Sequence, residues 1–120
     1  MKVLIVDDNE LTRCTVKSLL EELGHEVVGE AGDSVEAARC FTELKPEVVF
    51  LDLLLPGKSG VEILKELREI DPKPKIIILT AVDQEEIDRM LADKGADAIM
   101  RKPFSFEELE NLMTKISDER

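Results

Sequence analysis

An α/β fold with an open, doubly wound parallel sheet is predicted from three observations. Short aliphatic runs alternate five times with stretches of helical periodicity, and residues that start or end helices stand between them. At 120 residues the chain is also too short for an eight-fold barrel. Strand-then-helix units at this spacing require parallel strands, right-handed crossovers and helices on both faces of the sheet.

The strands are expected at residues 3–6, 27–28, 48–51, 76–79 and 99–100. Runs of apolar residues bounded by polar or turn residues suit strands buried on both faces. The second and fifth runs are the shortest and are expected near the sheet edges. The first helix is expected to carry a stripe of Leu11, Thr15, Leu19 and Leu23. Ala37, Cys40, Phe41 and Leu44 mark the second helix, and Gly60, Ile63, Leu64 and Leu67 the third. Ile87, Met90 and Leu91 form a shorter stripe, and Leu109, Leu112, Met113 and Ile116 the last. Each stripe gives one apolar face to lay on a sheet. Asp33-x-x-Glu36 and Ser105-x-x-Glu108 have the form of capping boxes. Gly24 and Gly95 follow helical stretches, where a left-handed residue ends a helix. Pro46, Pro72 and Pro74 fall between helix and strand, and a polar tail is expected over residues 117–120.

Composition narrows the function classes. With 27 acidic and 16 basic side chains the formal net charge is -11, which argues against nucleic acid or an anionic membrane as a direct ligand. No apolar run approaches the ~18–20 residues of a spanning helix. The first run turns acidic too soon for a signal peptide. Cys14 and Cys40 are isolated, which points to reduced thiols and a cytoplasmic address. One domain over residues 1–120 is expected, with no internal linker or repeat.

In an open α/β sheet the site lies outside the carboxyl ends of the strands, near the switch point in strand order. The first strand ends in Asp7-Asp8 and the third in Asp52; the fourth ends in Thr80-Ala81 and the fifth in Lys102-Pro103. The second ends in Val28-Gly29-Glu30, with no comparable anchor. Three carboxylates converging on one rim repel, and a cation or a proton must relieve them. An all-oxygen anionic site of this kind suits Mg²⁺, which takes one or two carboxylates and a phosphoryl group. A carboxylate is also a nucleophile able to form an aspartyl phosphate, and an ammonium and a hydroxyl suit the phosphoryl oxygens. Singly, each residue has a plain structural role as a turn, a cap or a surface charge. Their coincidence at one rim carries the reading.

Residues Val3-Leu4-Ile5-Val6-Asp7-Asp8-Asn9, the segment from Val48 through Asp52 to Pro56-Gly57-Lys58-Ser59-Gly60, Ile78-Leu79-Thr80-Ala81 and Lys102-Pro103-Phe104 together resemble the receiver domain of two-component response regulators. The resemblance spans residue 2 to about 116 and implies a flavodoxin-like sheet of order 2-1-3-4-5 flanked by five helices. It implies that Asp52 accepts a phosphoryl group from a phosphohistidine of a histidine kinase or phosphotransfer protein. It further implies that Asp8, Asp52 and the backbone carbonyl of Leu54 ligate Mg²⁺ directly, with Asp7 acting through water. Thr80 is the implied hydroxyl partner of the phosphoryl group and Lys102 its implied ammonium. Pro103 is the implied cis-proline, Ala81 leaves room for the phosphoryl group, and Pro56 and Gly60 belong to the turn after Asp52. A downstream protein is expected on the surface of the fourth helix, fifth strand and fifth helix. In that reading the chain is no conventional enzyme, since it catalyses only its own phosphorylation and slow hydrolysis.

Three positions depart from the family pattern. Ile99 stands where an aromatic switch residue is usual, and Leu54 and Val82 are apolar where many relatives are polar. In the family the last two positions flank the path of an attacking water, so the resemblance implies a long-lived phosphoryl group. Two other classes are weighed against the receiver. A metal-dependent phosphatase with an Asp nucleophile needs a second Asp where Leu54 stands, and a phosphorylation-independent interaction module would not need the full set of polar rim residues. His25, the single histidine, and the two cysteines lack zinc-site spacing.

Overall fold

The computed structural model describes residues 1–119. Ten elements alternate along the chain: β1 (Lys2–Val6), α1 (Glu10–Glu22), β2 (Glu26–Ala31), α2 (Ser34–Leu44), β3 (Val48–Asp52), α3 (Gly60–Ile70), β4 (Lys75–Thr80), α4 (Glu85–Asp93), β5 (Ala98–Arg101) and α5 (Phe106–Asp118). All neighbouring strands pair in parallel, in the order β2-β1-β3-β4-β5, so the flavodoxin-like topology is as expected and the two shortest apolar runs lie at the edges. The order reverses at β1, which pairs with both β2 and β3.

Strand alternation divides the core into two layers. Leu4, Val6, Val49, Leu51, Ile76 and Ile78 face α2 and α3. Val3, Ile5, Phe50, Ile77 and Leu79 face α1 and α5. The central strands are apolar on consecutive residues because both of their faces are covered.

Side chains close the helix starts. Asp33 and Ser105 accept the N–H groups of Glu36 and Glu108, at 2.8 and 3.0 Å, as their capping boxes predict. Asn9 and Ser59 cap α1 and α3 in the same way, through Thr12 and Glu62. Gly24 and Gly95 adopt the expected positive φ at the ends of α1 and α4.

Two expectations are corrected. On α1 the fully buried residues are Val16 and Leu20, whereas Leu11 is 75% exposed. A strict four-residue stripe drifts about 40° per step around a helix of 3.6 residues per turn, so Leu11 and Leu23 cannot share a face. The second strand is longer than its two valines, running from Glu26 to Ala31 with an irregularity opposite Val3 and Leu4. As an edge strand it is half-buried and lacks a continuous apolar run. The exposed, polar Ser117 and Asp118 of the expected tail form the last residues of α5, and Arg120 lies outside the described residues.

At the end of the sheet opposite the carboxyl rim, Arg68 of α3 ties three segments together. It donates to the carbonyls of Pro72 and Pro74 at 3.1 and 2.6 Å, to that of Gly95 at 2.9 and 2.7 Å, and to Asp97 Oδ2 at 2.6 Å. The same Asp97 oxygen accepts the N–H of Ile76 at 2.8 Å. A Cβ on Gly95 would lie 2.9 Å from Arg68 Nε, so glycine is required there twice, by its φ and by this contact.

Candidate functional site

The polar rim assembles at the switch point. Asp7 and Asp8 follow β1, Asp52 ends the adjacent β3, and one carboxylate oxygen from each lies within 4.8 Å of the others. Asp7 is 2% exposed and Asp52 9%, while Asp8 is open to solvent. Lys102, just beyond β5, reaches across two strands to place Nζ 3.0 Å from Asp7 Oδ2 and 3.6 Å from Asp52 Oδ2. The sheet thus brings together residues that are up to 95 positions apart in the chain.

Every polar atom of Asp7 is held. Its N–H donates to the carbonyl of Ala31 at 3.0 Å and its carbonyl accepts Arg13 Nη1 at 2.6 Å. Its two carboxylate oxygens accept the N–H of Asn9, at 2.9 Å, and Lys102 Nζ. Asp52 Oδ1 accepts the N–H of Leu54 at 3.2 Å.

The loop after β3 is closed on itself, with Leu54 bridging Ser59 and the Gly60 N–H donating to the Leu53 carbonyl at 2.8 Å. A Cβ on Gly60 would sit 2.6 Å from Leu53 Cα, so only glycine lets α3 start this close to the loop. Lys58 pairs with Glu66 and fixes the outer part of that loop on α3.

Burial holds the Asp52 carboxyl above the usual carboxylate range. The Leu54 N–H and the Lys102 ammonium pull it down, and the Asp7 and Asp8 charges push it up. A raised folded-state value means the native state holds this proton more tightly than the unfolded chain. Ionised Asp52 therefore costs stability, and that cost sets in as pH rises above the ordinary carboxylate value of 3.8. Asp52→Asn is expected to raise the melting temperature at pH 7 in the absence of divalent cation, with the gain shrinking as pH falls towards 4. Differential scanning calorimetry across that range, with a flat or reversed difference as the contrary result, checks it.

The donor set fits a hard divalent cation: it is all oxygen, it converges, and its most buried members repel. When bound, Mg²⁺ would neutralise these carboxylates and organise a phosphoryl group beside them.

The other expected residues lie on the same rim in different states. Thr80 is 2% exposed, and its Oγ1 accepts the N–H of Val82 at 3.0 Å; no hydrogen bond joins it to the carboxylates. Ala81 is exposed beside it, and the Lys102–Pro103 peptide is cis. Ile99 is half-buried against the layer that covers α2 and α3. The Leu54 side chain is 69% exposed and lines an open cleft with Asp8. His25 lies away from the rim, with Nδ1 3.1 Å from the Met1 nitrogen; burial and that ammonium hold its imidazole below the ordinary histidine value.

Two cations next to the site had no signal in the sequence. Arg13 spans from Asp7 to Glu30 of β2, and Arg101, at the end of β5, pairs with Asp88 of α4 and, at 3.4 Å, with Asp83. Each contact joins different elements, so no local spacing announces it.

Comparison with known proteins agrees with this architecture. The family model described as Response regulator receiver domain matches residues 3–114. The chemotaxis protein CheY of Thermotoga maritima is 35% identical over 116 residues, covering 97% of each chain. The CheY of Halobacterium salinarum is 36% identical over 117 residues, covering 98% of this chain and 94% of its own. Among solved structures, a two-component response regulator of the LuxR family from Aurantimonas sp. SI85-9A1 superposes with a TM-score of 0.92 at 31% identity, over 99% of this chain and 86% of that one.

Proposed function

Because the chain belongs to the response-regulator receiver domain family, we propose that it is a phosphorylatable signalling switch in which Asp52 accepts a phosphoryl group from a phosphohistidine. The observation that carries this reading is the convergence of Asp7, Asp8 and Asp52 within 4.8 Å, with Lys102 bridging two of them at 3.0 and 3.6 Å.

In the transfer, an Asp52 carboxylate oxygen forms the new P–O bond as the donor's P–N bond breaks. The imidazole leaves and takes its proton from solvent. Asp8, Asp52 and the Leu54 carbonyl would hold Mg²⁺ directly and Asp7 through water, and the cation would offset the crowded negative charge. Lys102 is already poised beside Asp52 and balances charge on the phosphoryl oxygens.

Phosphorylation adds about 1.5–2 negative charges by analogy with other phospho-residues. Thr80 then exchanges its bond to the Val82 N–H for one to a phosphoryl oxygen, and the segment that follows it moves. The form in which Thr80 and Lys102 both reach the group gains population, because only differential contact shifts such an equilibrium. With Ile99 in place of an aromatic residue, the shift passes through Thr80 and α4 and no ring rotation reports it. The output is a protein partner on the α4–β5–α5 surface, and the setting is the cytoplasm. No helix among the described residues is long and apolar enough to cross a membrane.

Incubation with acetyl phosphate and Mg²⁺ followed by intact mass measurement tests the proposal. One phosphoryl adduct is expected on the native chain and none on Asp52→Asn or without divalent cation; an adduct that survives in Asp52→Asn refutes it. Leu54 and Val82 shield the adduct from in-line water. A dephosphorylation time course should run several-fold faster for Leu54→Asn and for Val82→Glu, and unchanged rates would remove this role.

A further inference from the structure

We propose that Arg13 is a positioning residue for divalent-cation binding, setting the direction in which Asp8 enters the acidic pocket. The inference rests on the reading of that pocket as a Mg²⁺ site. Arg13 makes no hydrogen bond or ion pair to the three carboxylates; its Nη1 donates to the backbone carbonyl of Asp7 at 2.6 Å. That carbonyl belongs to the peptide unit joining Asp7 to Asp8. A planar peptide bond fixes the Asp8 nitrogen once the carbonyl direction is fixed. Asp8 depends on this restraint more than its neighbours do. Asp7 is held through its N–H and both carboxylate oxygens, and Asp52 through the Leu54 N–H and Lys102. Among the described residues no hydrogen bond or ion pair holds the Asp8 carboxylate, which is exposed.

Arg13 is itself anchored. Its side chain is only 18% exposed, and Nε donates to Glu30 Oε1 at 3.2 Å at the end of β2. Lys17, one turn further along α1, approaches the other oxygen of Glu30 at 4.0 Å. The guanidinium therefore links α1, β2 and the β1 turn, and so gives the second strand a part in the site although it delivers no residue to the rim.

Charge and positioning predict opposite outcomes, which makes the role testable. A cation near three carboxylates disfavours a second cation, so neutralising it by charge alone should tighten binding. If Arg13 acts by holding the Asp7–Asp8 peptide, Arg13→Met should weaken binding, by about tenfold on the scale of supporting residues around metal sites. Isothermal titration of the full chain with Mn²⁺ and with Mg²⁺ reads this directly, without any phosphodonor. Lys17→Met serves as the control, since it removes a charge from the same Glu30 without touching Asp7, and should leave affinity unchanged or slightly tighter.

Should Arg13→Met fail to fold, Arg13→Gln, which removes the same charge and the reach to the Asp7 carbonyl but keeps a polar side chain, is expected to weaken Mn²⁺ binding likewise. Equal or tighter binding in Arg13→Met, or in Arg13→Gln where that is the variant measured, overturns the inference. Absence of binding to the native chain overturns instead the reading of the pocket as a cation site.

Discussion

Lys102→Met is expected to slow phosphoryl transfer from acetyl phosphate to Asp52 by about a hundredfold, the usual cost of removing one preorganised donor from a site of developing negative charge. The ammonium is held 3.0 Å from Asp7 and 3.6 Å from Asp52 before any phosphoryl group arrives, so no reorganisation is needed during transfer. The same substitution should tighten Mg²⁺ binding, because a fixed positive charge beside the carboxylates competes with the cation. It also removes one of the two contacts that lower the Asp52 carboxyl, so that group should titrate still higher. Slower transfer with tighter cation binding separates the lysine's role from that of a metal ligand. Rate measurements at saturating Mg²⁺, alongside calorimetric titration, distinguish the two. A normal transfer rate in Lys102→Met would show that the lysine serves only as a counter-charge to Asp7.

Arg68→Met is expected to lower the unfolding free energy by about 3 kcal/mol, the low end of the cost of breaking a buried pair. The low end applies because Arg68 and Asp97 are 16% and 29% exposed at their side chains, which lets water compensate some of the loss. Removal of the guanidinium leaves the carbonyls of Pro72, Pro74 and Gly95 without their shared donor. Asp97 then keeps the Ile76 N–H and the more distant Lys75, at 3.9 Å. Urea titration measures the change. Since this clasp lies at the opposite end of the sheet from the carboxylates, phosphorylation of the folded variant should proceed at the native rate. A loss below about 1 kcal/mol would mean that solvent replaces the clasp.

The elements most legible in the sequence are those whose neighbours leave little choice. Residues 48–51 and 76–79 are apolar on consecutive positions because β3 and β4 are covered on both faces, and a run of that kind bounded by polar residues has few alternatives. The acidic pocket was legible for a related reason. In a doubly wound sheet the residue that follows each buried strand is delivered to one rim, so Asp7, Asp8, Asp52 and Lys102 were placed together by topology alone. The edge strand β2 extends beyond its two valines without an apolar signal, because its half-buried residues include Glu30 and Gly29. The inward face of α1 is ambiguous in the sequence because Leu11 is as apolar as Leu20 yet stands exposed at the start of the helix. The contacts of Arg13, Arg68 and Arg101 leave no local signal for a different reason. Each bonds across elements to backbone carbonyls or to carboxylates, and such contacts follow from tertiary placement.

Chemical trapping of the phosphorylated residue distinguishes Asp52 from its acidic neighbours. An acyl phosphate is reduced by borohydride to the corresponding alcohol, so a phosphorylated aspartate is converted to homoserine and can be located by peptide mapping. After treatment with acetyl phosphate and Mg²⁺, homoserine is expected at position 52, with Asp7 and Asp8 unmodified. Homoserine at position 7 or 8, or a phosphorylated chain that yields none, would contradict it.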